Sequence, residues 1–168
     1  RIVRSVVEAN EYQKQYMVQK IEKRMGDVRG KVFGVLGLAF KPETDDMREA
    51  PSVTIIDALL DKGARVKAYD PIAMDNARRF ALEHRRGVFS GEWDGSFENV
   101  ELVFCKDEYE TLAGADALVL ITEWNAFRSL NLTKIRGLMR GNFFFDLRNV
   151  YERPDVERLG FIYEGVGR

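Results

Sequence analysis

Several residues in this chain carry groups that can do chemistry. Gly34 and Gly37, late in an apolar run, and Asp70, which closes a later one, supply the ingredients of a dinucleotide fingerprint. In that motif glycines let a pyrophosphate touch the backbone and an acid holds the ribose. The spacing argues against it, because the fingerprint needs two glycines one residue apart and a third opening the helix, and here the gap is wider and the third is absent. Asp70, followed by Pro71, then reads as a strand-end turn. Asp45 and Asp46 are paired carboxylates, a pattern that serves metals and general bases. They precede a helix and suit bonds to loop amides better, so no metal ligand is assigned. Cys105 lies within an apolar strand pattern and reads as a core thiol. His84 sits beside Arg85 and Arg86 without a partner and is no catalyst candidate. Trp93 and Trp124 read as packing residues, with Trp124 at a strand's carboxyl end, where it could border a cleft.

These residues must be positioned by alternating strands and helices. From Lys31 onward, strands are expected at 32–38, 65–69, 102–105, 117–122 and 143–146, with helices over 52–62, 73–83 and 132–139. Such alternation implies βαβ crossovers and a mainly parallel sheet covered on both faces, a doubly wound, Rossmann-like α/β fold. The polar stretch 85–100, with Gly87, Gly91 and Gly95, reads as a loop or hairpin excursion. Ahead of the α/β region, Val3, Val7, Met17 and Ile21, flanked by Val6 and Tyr16, recur at helical spacing until Gly26 stops the pattern. Residues 1–26 are therefore read as one long amphipathic helix, and 27–168 as the α/β domain. Asn10 and Lys14 interrupt the stripe, which favours packing on a further domain or a second subunit over a coiled-coil seam.

Ligands of a doubly wound sheet bind at the carboxyl ends of its strands. The loop after the first strand, Gly37 to Ser52, is much longer than the roughly two to six residues usual for such a connection. Lys41 is its first cation, facing that crevice.

A chain of 168 residues with 45% hydrophobic and 32% charged residues suits one globular domain with an appendage. A net charge of −1 gives no global field to attract nucleic acid or an anionic membrane, so partners are sought in local sites. The longest apolar runs, 32–40 and 117–121, are too short to span a bilayer. One cysteine makes no internal disulfide, which fits a cytoplasmic setting. The chain opens at Arg1 within a helical pattern and is expected to be a piece of a longer protein.

The run from Gly37 to Ser52, Gly-Leu-Ala-Phe-Lys-Pro-Glu-Thr-Asp-Asp-Met-Arg-Glu-Ala-Pro-Ser, resembles the signature that opens the C-terminal domain of the UDP-glucose and GDP-mannose dehydrogenase family. Its wording is most similar to the bacterial UDP-glucose dehydrogenases. Ile121 to Phe127 and Asp146 to Tyr151 agree in order and spacing. Val7 to Glu11 resembles part of the long helix that joins the family's two halves and forms much of its dimer interface. The resemblance covers nearly the whole chain, with 85–100 the least recognisable part.

The resemblance implies oxidation of a sugar C6 alcohol to a carboxylate by two successive hydride transfers to NAD, through a thioester on a cysteine and without a metal. The thiol and the other catalytic groups would lie upstream, so no catalytic residue is expected here and the chain alone should be inactive. By motif position, Phe40 (partly through its backbone), Lys41 and Arg148 are implied as nucleotide-sugar contacts, and Arg48 as a residue reaching across the cleft to NAD. Without the resemblance each of these charges reads as solvated or salt-bridged. The implied partners are a UDP-sugar and a second copy bound through the first helix. Alternatives are the same portion of a UDP-N-acetylmannosamine or GDP-mannose dehydrogenase, or a non-catalytic nucleotide-binding or dimerisation module. A phospho-receiver domain would need an acidic cluster where the first strand ends, and Ala39-Phe40-Lys41 stands there.

Overall fold

Five consecutive residues, Val32–Leu36 (β1), are buried in the computed structural model, which describes residues 2–84, 90–98 and 100–167. A strand without a wet face belongs at the centre of a sheet covered on both sides. The other strands are β2 (Arg65–Tyr69), β3 (Ser90–Glu92), β4 (Leu102–Phe104), β5 (Ala117–Leu120), β6 (Phe143–Asp146) and β7 (Ile162–Gly165). All pairings are parallel, and the strand order is β3-β4-β2-β1-β5-β6-β7. The expected doubly wound α/β fold is the one observed. β1 pairs with β2 on one side (Leu36 opposite Tyr69) and with β5 on the other (Leu36 opposite Leu120), so the winding reverses beside β1. That reversal opens the crevice in which such sheets hold ligands.

The helices are α1 (Ile2–Met25), α2 (Pro51–Asp61), α3 (Met74–His84), α4 (Glu108–Leu112), α5 (Asn125–Arg128), α6 (Leu132–Leu138) and α7 (Arg153–Glu157). On one face Phe33, Val35, Val66 and Val119 pack with Ile55 and Leu59 of α2 and with Met17 and Ile21 of α1. On the other, Leu36, Leu118, Leu120 and Phe144 pack with Leu112, Phe127 and Ile135. Apolar burial on both faces is the main driving force for this three-layer arrangement.

Both glycines of the first apolar run have structural reasons. A Cβ on Gly34 would stand 2.6 Å from Leu112 Cδ2 and 2.9 Å from Thr111 O, so the bare backbone lets α4 press against the strand. Gly37 has φ +92°, and a Cβ there would fall 2.5 Å from Thr122 N. This turn ends β1 at Leu36, short of the expected 38.

Residues 90–92 of the expected loop or hairpin excursion instead form a parallel edge strand, held by its ladder to β4 and by Arg78 of α3, whose guanidinium takes both oxygens of Glu92. The rest of that reading falls partly on 85–89 and 99, outside the described residues. Only the second half of α1 docks on the domain, through Met17, Val18 and Ile21 and through Lys20 and Arg24 paired with Glu164. Ile2, Val3, Val6, Val7 and Tyr12 on the first half are exposed.

At the amino edge of the sheet Asp116 accepts from Val32 N at 2.8 Å and from Arg140 Nε at 2.8 Å. Burial raises this carboxyl, but the Arg140 fork and the Val32 amide outweigh it and hold its pKa below the ordinary value. A depressed folded pKa contributes stability that is complete above the unfolded value, near 3.9, and lost as pH falls through the folded one. Asp116→Asn should therefore be less stable than the parent at neutral pH, and urea midpoints of the two should converge as pH is lowered below about 4.

Candidate functional site

The carboxyl edge of the sheet is organised by the backbone of residues 38–40, whose polar groups all have partners. Leu38 N and Ala39 N donate to Asp70 Oδ2 at 2.8 and 3.1 Å. Ser52 Oγ donates to Leu38 O at 2.6 Å and Thr122 Oγ1 to Ala39 O at 2.8 Å. Phe40 N donates to Asp46 O at 2.8 Å, and the Arg148 guanidinium reaches Phe40 O at 3.5 Å. Satisfied in this way, the strand end can turn sharply away from the sheet and still be fixed. Ser52, whose position suggests only a helix start, is thus a buried tie between α2 and the loop, while Ala50 caps α2 without a side-chain bond.

Arg148 comes from the turn after β6. Buried Asp146 shapes that turn: it accepts from Arg148 N (3.2 Å), Tyr151 N (2.8 Å) and Tyr163 Oη (2.7 Å). Asn149 takes φ +52°, a conformation asparagine tolerates, and exchanges hydrogen bonds with the backbone of Val166 at 3.0 and 2.8 Å. The Arg148 guanidinium donates through Nε to Ile121 O at 3.0 Å, so it joins the ends of β5 and β1.

Above these ends, and below the free part of α1, lies a cleft of about 740 Å³. Phe40, Arg148, Glu49, Lys14 and Asn10 are among its lining residues. Its volume is within the roughly 300 to 1,000 Å³ that small-molecule sites occupy. Phe40 is 44% exposed, a large aromatic facing open space. Lys14, read in the sequence only as an interruption of the helical stripe, is buried here with its ammonium 2.8 Å from Glu11 Oε1 and 3.7 Å from Glu49 Oε2. Glu49 itself has φ +57°, so the loop bends back toward α1 at this residue.

The residues singled out in the sequence divide in space. Phe40 and Arg148 meet in this cleft although they are 108 positions apart. Lys41 is exposed next to Phe40 and is not part of the lining. Arg48 lines a second, open hollow of about 500 Å³ with Asn76, Arg79, Phe80 and Glu83. There its fork is clamped on Asp46, Nε to Oδ1 at 3.0 Å and Nη2 to Oδ2 at 3.0 Å. That fork, helped by the Arg48 amide, holds the Asp46 carboxyl below its ordinary pKa. Asp46 Oδ1 also accepts from Arg48 N at 2.9 Å, the loop-amide bond expected of it. Trp124 is packed at 5% exposure and does not line the cleft; its indole donates to Asp70. The His84 side chain lies outside the described residues.

A parallel sheet that reverses its winding beside β1, with a ligand-sized cleft over that reversal, defines a ligand-binding doubly wound α/β domain. The chain belongs to the UDP-glucose/GDP-mannose dehydrogenase family, whose UDP binding domain matches residues 34–153. It is 41% identical over 170 residues to the UDP-glucose 6-dehydrogenase of Rhizobium meliloti (strain 1021), a match covering all of this chain and 35% of that protein. The UDP-glucose 6-dehydrogenase of Pseudomonas aeruginosa is also 41% identical, over 169 residues, with the same coverage. Among solved structures, a UDP-glucose dehydrogenase from Pyrobaculum islandicum superimposes with TM-score 0.71 at 34% identity, covering 96% of this chain and 31% of that one. A UDP-D-ManNAc dehydrogenase from Pyrococcus horikoshii gives 0.66 at 26% identity, covering 100% and 33%. The chain therefore spans about a third of the length of these relatives.

Cys105 is 2% exposed, and burial pushes its thiol up to about 11. A thiol so placed is a core group and a poor nucleophile. The folded protein should leave Cys105 unmodified by a thiol-specific reagent at pH 8, and label it promptly in denaturant; prompt labelling in the native state would contradict the buried placement.

Proposed function

We propose that this chain is the nucleotide-sugar-binding portion of an NAD-dependent UDP-glucose 6-dehydrogenase, which oxidises UDP-glucose to UDP-glucuronate in two hydride transfers. The observation that carries the proposal is the Arg148 fork, fixed on the carbonyls of Ile121 and Phe40 at the mouth of the cleft, in a chain 41% identical to enzymes of that name. In this reading Phe40, Lys41 and Arg148 hold the nucleotide sugar. The two cations suit an anionic diphosphate, the guanidinium as a planar fork and the ammonium as a mobile point charge. No catalytic residue is assigned within the chain.

The fit to NAD is partial. Gly34 is filled against by Leu112, Gly37 by Thr122, and both oxygens of Asp70 are occupied by backbone and indole donors, so the strand end offers no cradle for a pyrophosphate. The cofactor, which accepts the hydride, is assigned mainly to the rest of the enzyme, with Arg48 reaching it from the second hollow. We also assign a homodimer through α1, because Ile2, Val3, Val6 and Val7 are each more than half exposed along one helix. No helix among the described residues is long and apolar enough to cross a membrane. The reading places the enzyme in the cytoplasm, in keeping with a single free, buried thiol.

In the full-length enzyme, Lys41→Ala and Arg148→Ala should each weaken UDP-glucose binding about ten- to a hundredfold, since a hydrogen bond to a charged partner contributes about 1.5 to 3 kcal/mol. NAD affinity without sugar should be unchanged in both, and Arg48→Ala should show the reverse pattern. Calorimetric titration of folded variants decides: parental UDP-glucose affinity in both Lys41→Ala and Arg148→Ala would sink the site assignment.

Full burial of each apolar side chain on α1 contributes roughly 1.5 to 3 kcal/mol, so the chain should self-associate with a mass that rises with concentration. Charged substitutions at Val3 and Val7 should abolish this in sedimentation experiments. A parent chain that stays monomeric at high concentration would refute the assigned interface.

A further inference from the structure

Behind the cleft, five donors converge on one side chain. Asp70, directly after β2, is fully buried. Its Oδ2 accepts from Leu38 N (2.8 Å), Ala39 N (3.1 Å) and Trp124 Nε1 (3.2 Å), and its Oδ1 accepts from Ile72 N (2.9 Å) and Ala73 N (2.8 Å). Every partner is an N–H group, so the position requires an acceptor at both oxygens. A carboxamide there would aim an NH2 group at two or three donors, whichever way it turned.

Three of these donors belong to the segments that build the cleft. Leu38 and Ala39 lead directly into Phe40 and Lys41, and Ala39 O is held by Thr122, two residues before Trp124. Phe40 O in turn receives Arg148. Hydrogen bonds at both ends of the covalent backbone of 38–40 thus connect Asp70 to the guanidinium. Asp70 is not among the residues lining the cleft.

We propose that Asp70 is a positioning residue of the nucleotide-sugar site: it sets the direction in which the strand end presents Phe40 and Lys41, and so controls sugar affinity without touching the ligand. The proposal rests on the site assignment made above. In a dinucleotide-binding sheet an acid at the end of the second strand faces outward to a ribose. In this chain the corresponding acid faces inward, and its work is to hold the loop that takes the place of the glycine turn.

The test is Asp70→Asn in the full-length enzyme, with folding verified by circular dichroism. UDP-glucose affinity should fall about tenfold or more and KM should rise by a similar factor, since a buried acceptor is replaced by a donor facing donors. The kcat at saturating sugar should stay within about twofold, because Asp70 acts on binding and touches no reacting atom. In a Lys41→Ala background Asp70→Asn should weaken binding further by less than it does alone, as expected of residues acting through one contact. Arg140→Ala, which removes the Asp116 clamp at the opposite edge of the sheet, is the control: it should lower stability and leave sugar affinity as in the parent. If folded Asp70→Asn binds like the parent while Lys41→Ala and Arg148→Ala lose binding, the positioning role is wrong and the site assignment stands. If all three bind like the parent, the site assignment itself fails. Should Asp70→Asn not fold, Trp124→Phe removes one donor and should weaken binding about threefold or more; parental affinity in that variant would overturn the proposal.

Discussion

A parallel sheet delivers all its strand ends to one edge, and each end brings backbone amides and carbonyls that helix and ladder no longer satisfy. Burying them without partners costs several kcal/mol apiece in an apolar medium. The solution here is a pair of buried carboxylates, Asp70 just after β2 and Asp146 at the end of β6, the strands that flank the central pair β1 and β5. Asp70 gathers the amides of the β1 loop and the indole beyond β5, and Asp146 gathers the amides of its own turn and the hydroxyl of Tyr163. Arg148 then bridges from the β6 turn to carbonyls at the ends of β5 and β1. Four strand ends become one hydrogen-bonded rim, and the cleft above inherits its shape from that rim.

The helix α1 is the counterpart of the rim on the other side of the cleft. Its second half is anchored by apolar packing and by Lys20 and Arg24 on Glu164 of the edge strand β7. Anchored there, the helix carries Lys14 over the cleft to Glu49, which bends toward it at positive φ. An interior ammonium with two carboxylates nearby offsets part of its desolvation, and it also ties the helix to the loop that bears Phe40 and Arg48. The exposed first half of α1 thus continues directly from the residue that reaches the loop bearing Phe40.

Much of this fold is legible in the sequence because burial on both faces leaves a strong local signature. The runs that form β1, β2, β5 and β6 are rich in apolar residues, and α2, α3 and α6 follow at helical spacing. Elements that are short or one-sided leave little trace. β3 is Ser-Gly-Glu on an edge, and α4, α5 and α7 have only four or five residues, below the length at which periodicity can be read. Lys67 is a further case: a charged residue in a strand suggests a wet face, yet this one is 1% exposed, its ammonium donating to Ala113 O at 3.0 Å and lying 3.9 Å from the Trp93 ring centre. For the candidate site, the motif resemblance points to Phe40, Lys41, Arg48 and Arg148, but no local pattern says that Phe40 and Arg148 share one cleft while Arg48 lines another. Asp70 announces a turn through the proline after it, while its decisive partners stand 32 positions upstream and 54 downstream.

Under the proposed function, the same constraint accounts for how a sheet of this topology would serve a nucleotide without the usual glycine cradle. In the dinucleotide mode, bare backbone at the end of the first strand meets the pyrophosphate, and the acid after the second strand is left free for the ribose. Here Gly34 and Gly37 yield their space to Leu112 and Thr122, and Asp70 is spent on the loop itself. With the amides of 38–40 turned inward, the end of β1 offers an anion no backbone nest. In the proposed reading it is met by side chains, Lys41, exposed beside Phe40, and Arg148, already oriented by two carbonyls. The long loop between β1 and α2 suits that proposed exchange: to present Phe40 and Lys41 as side chains it needs chain length, whereas a glycine cradle needs only a tight turn.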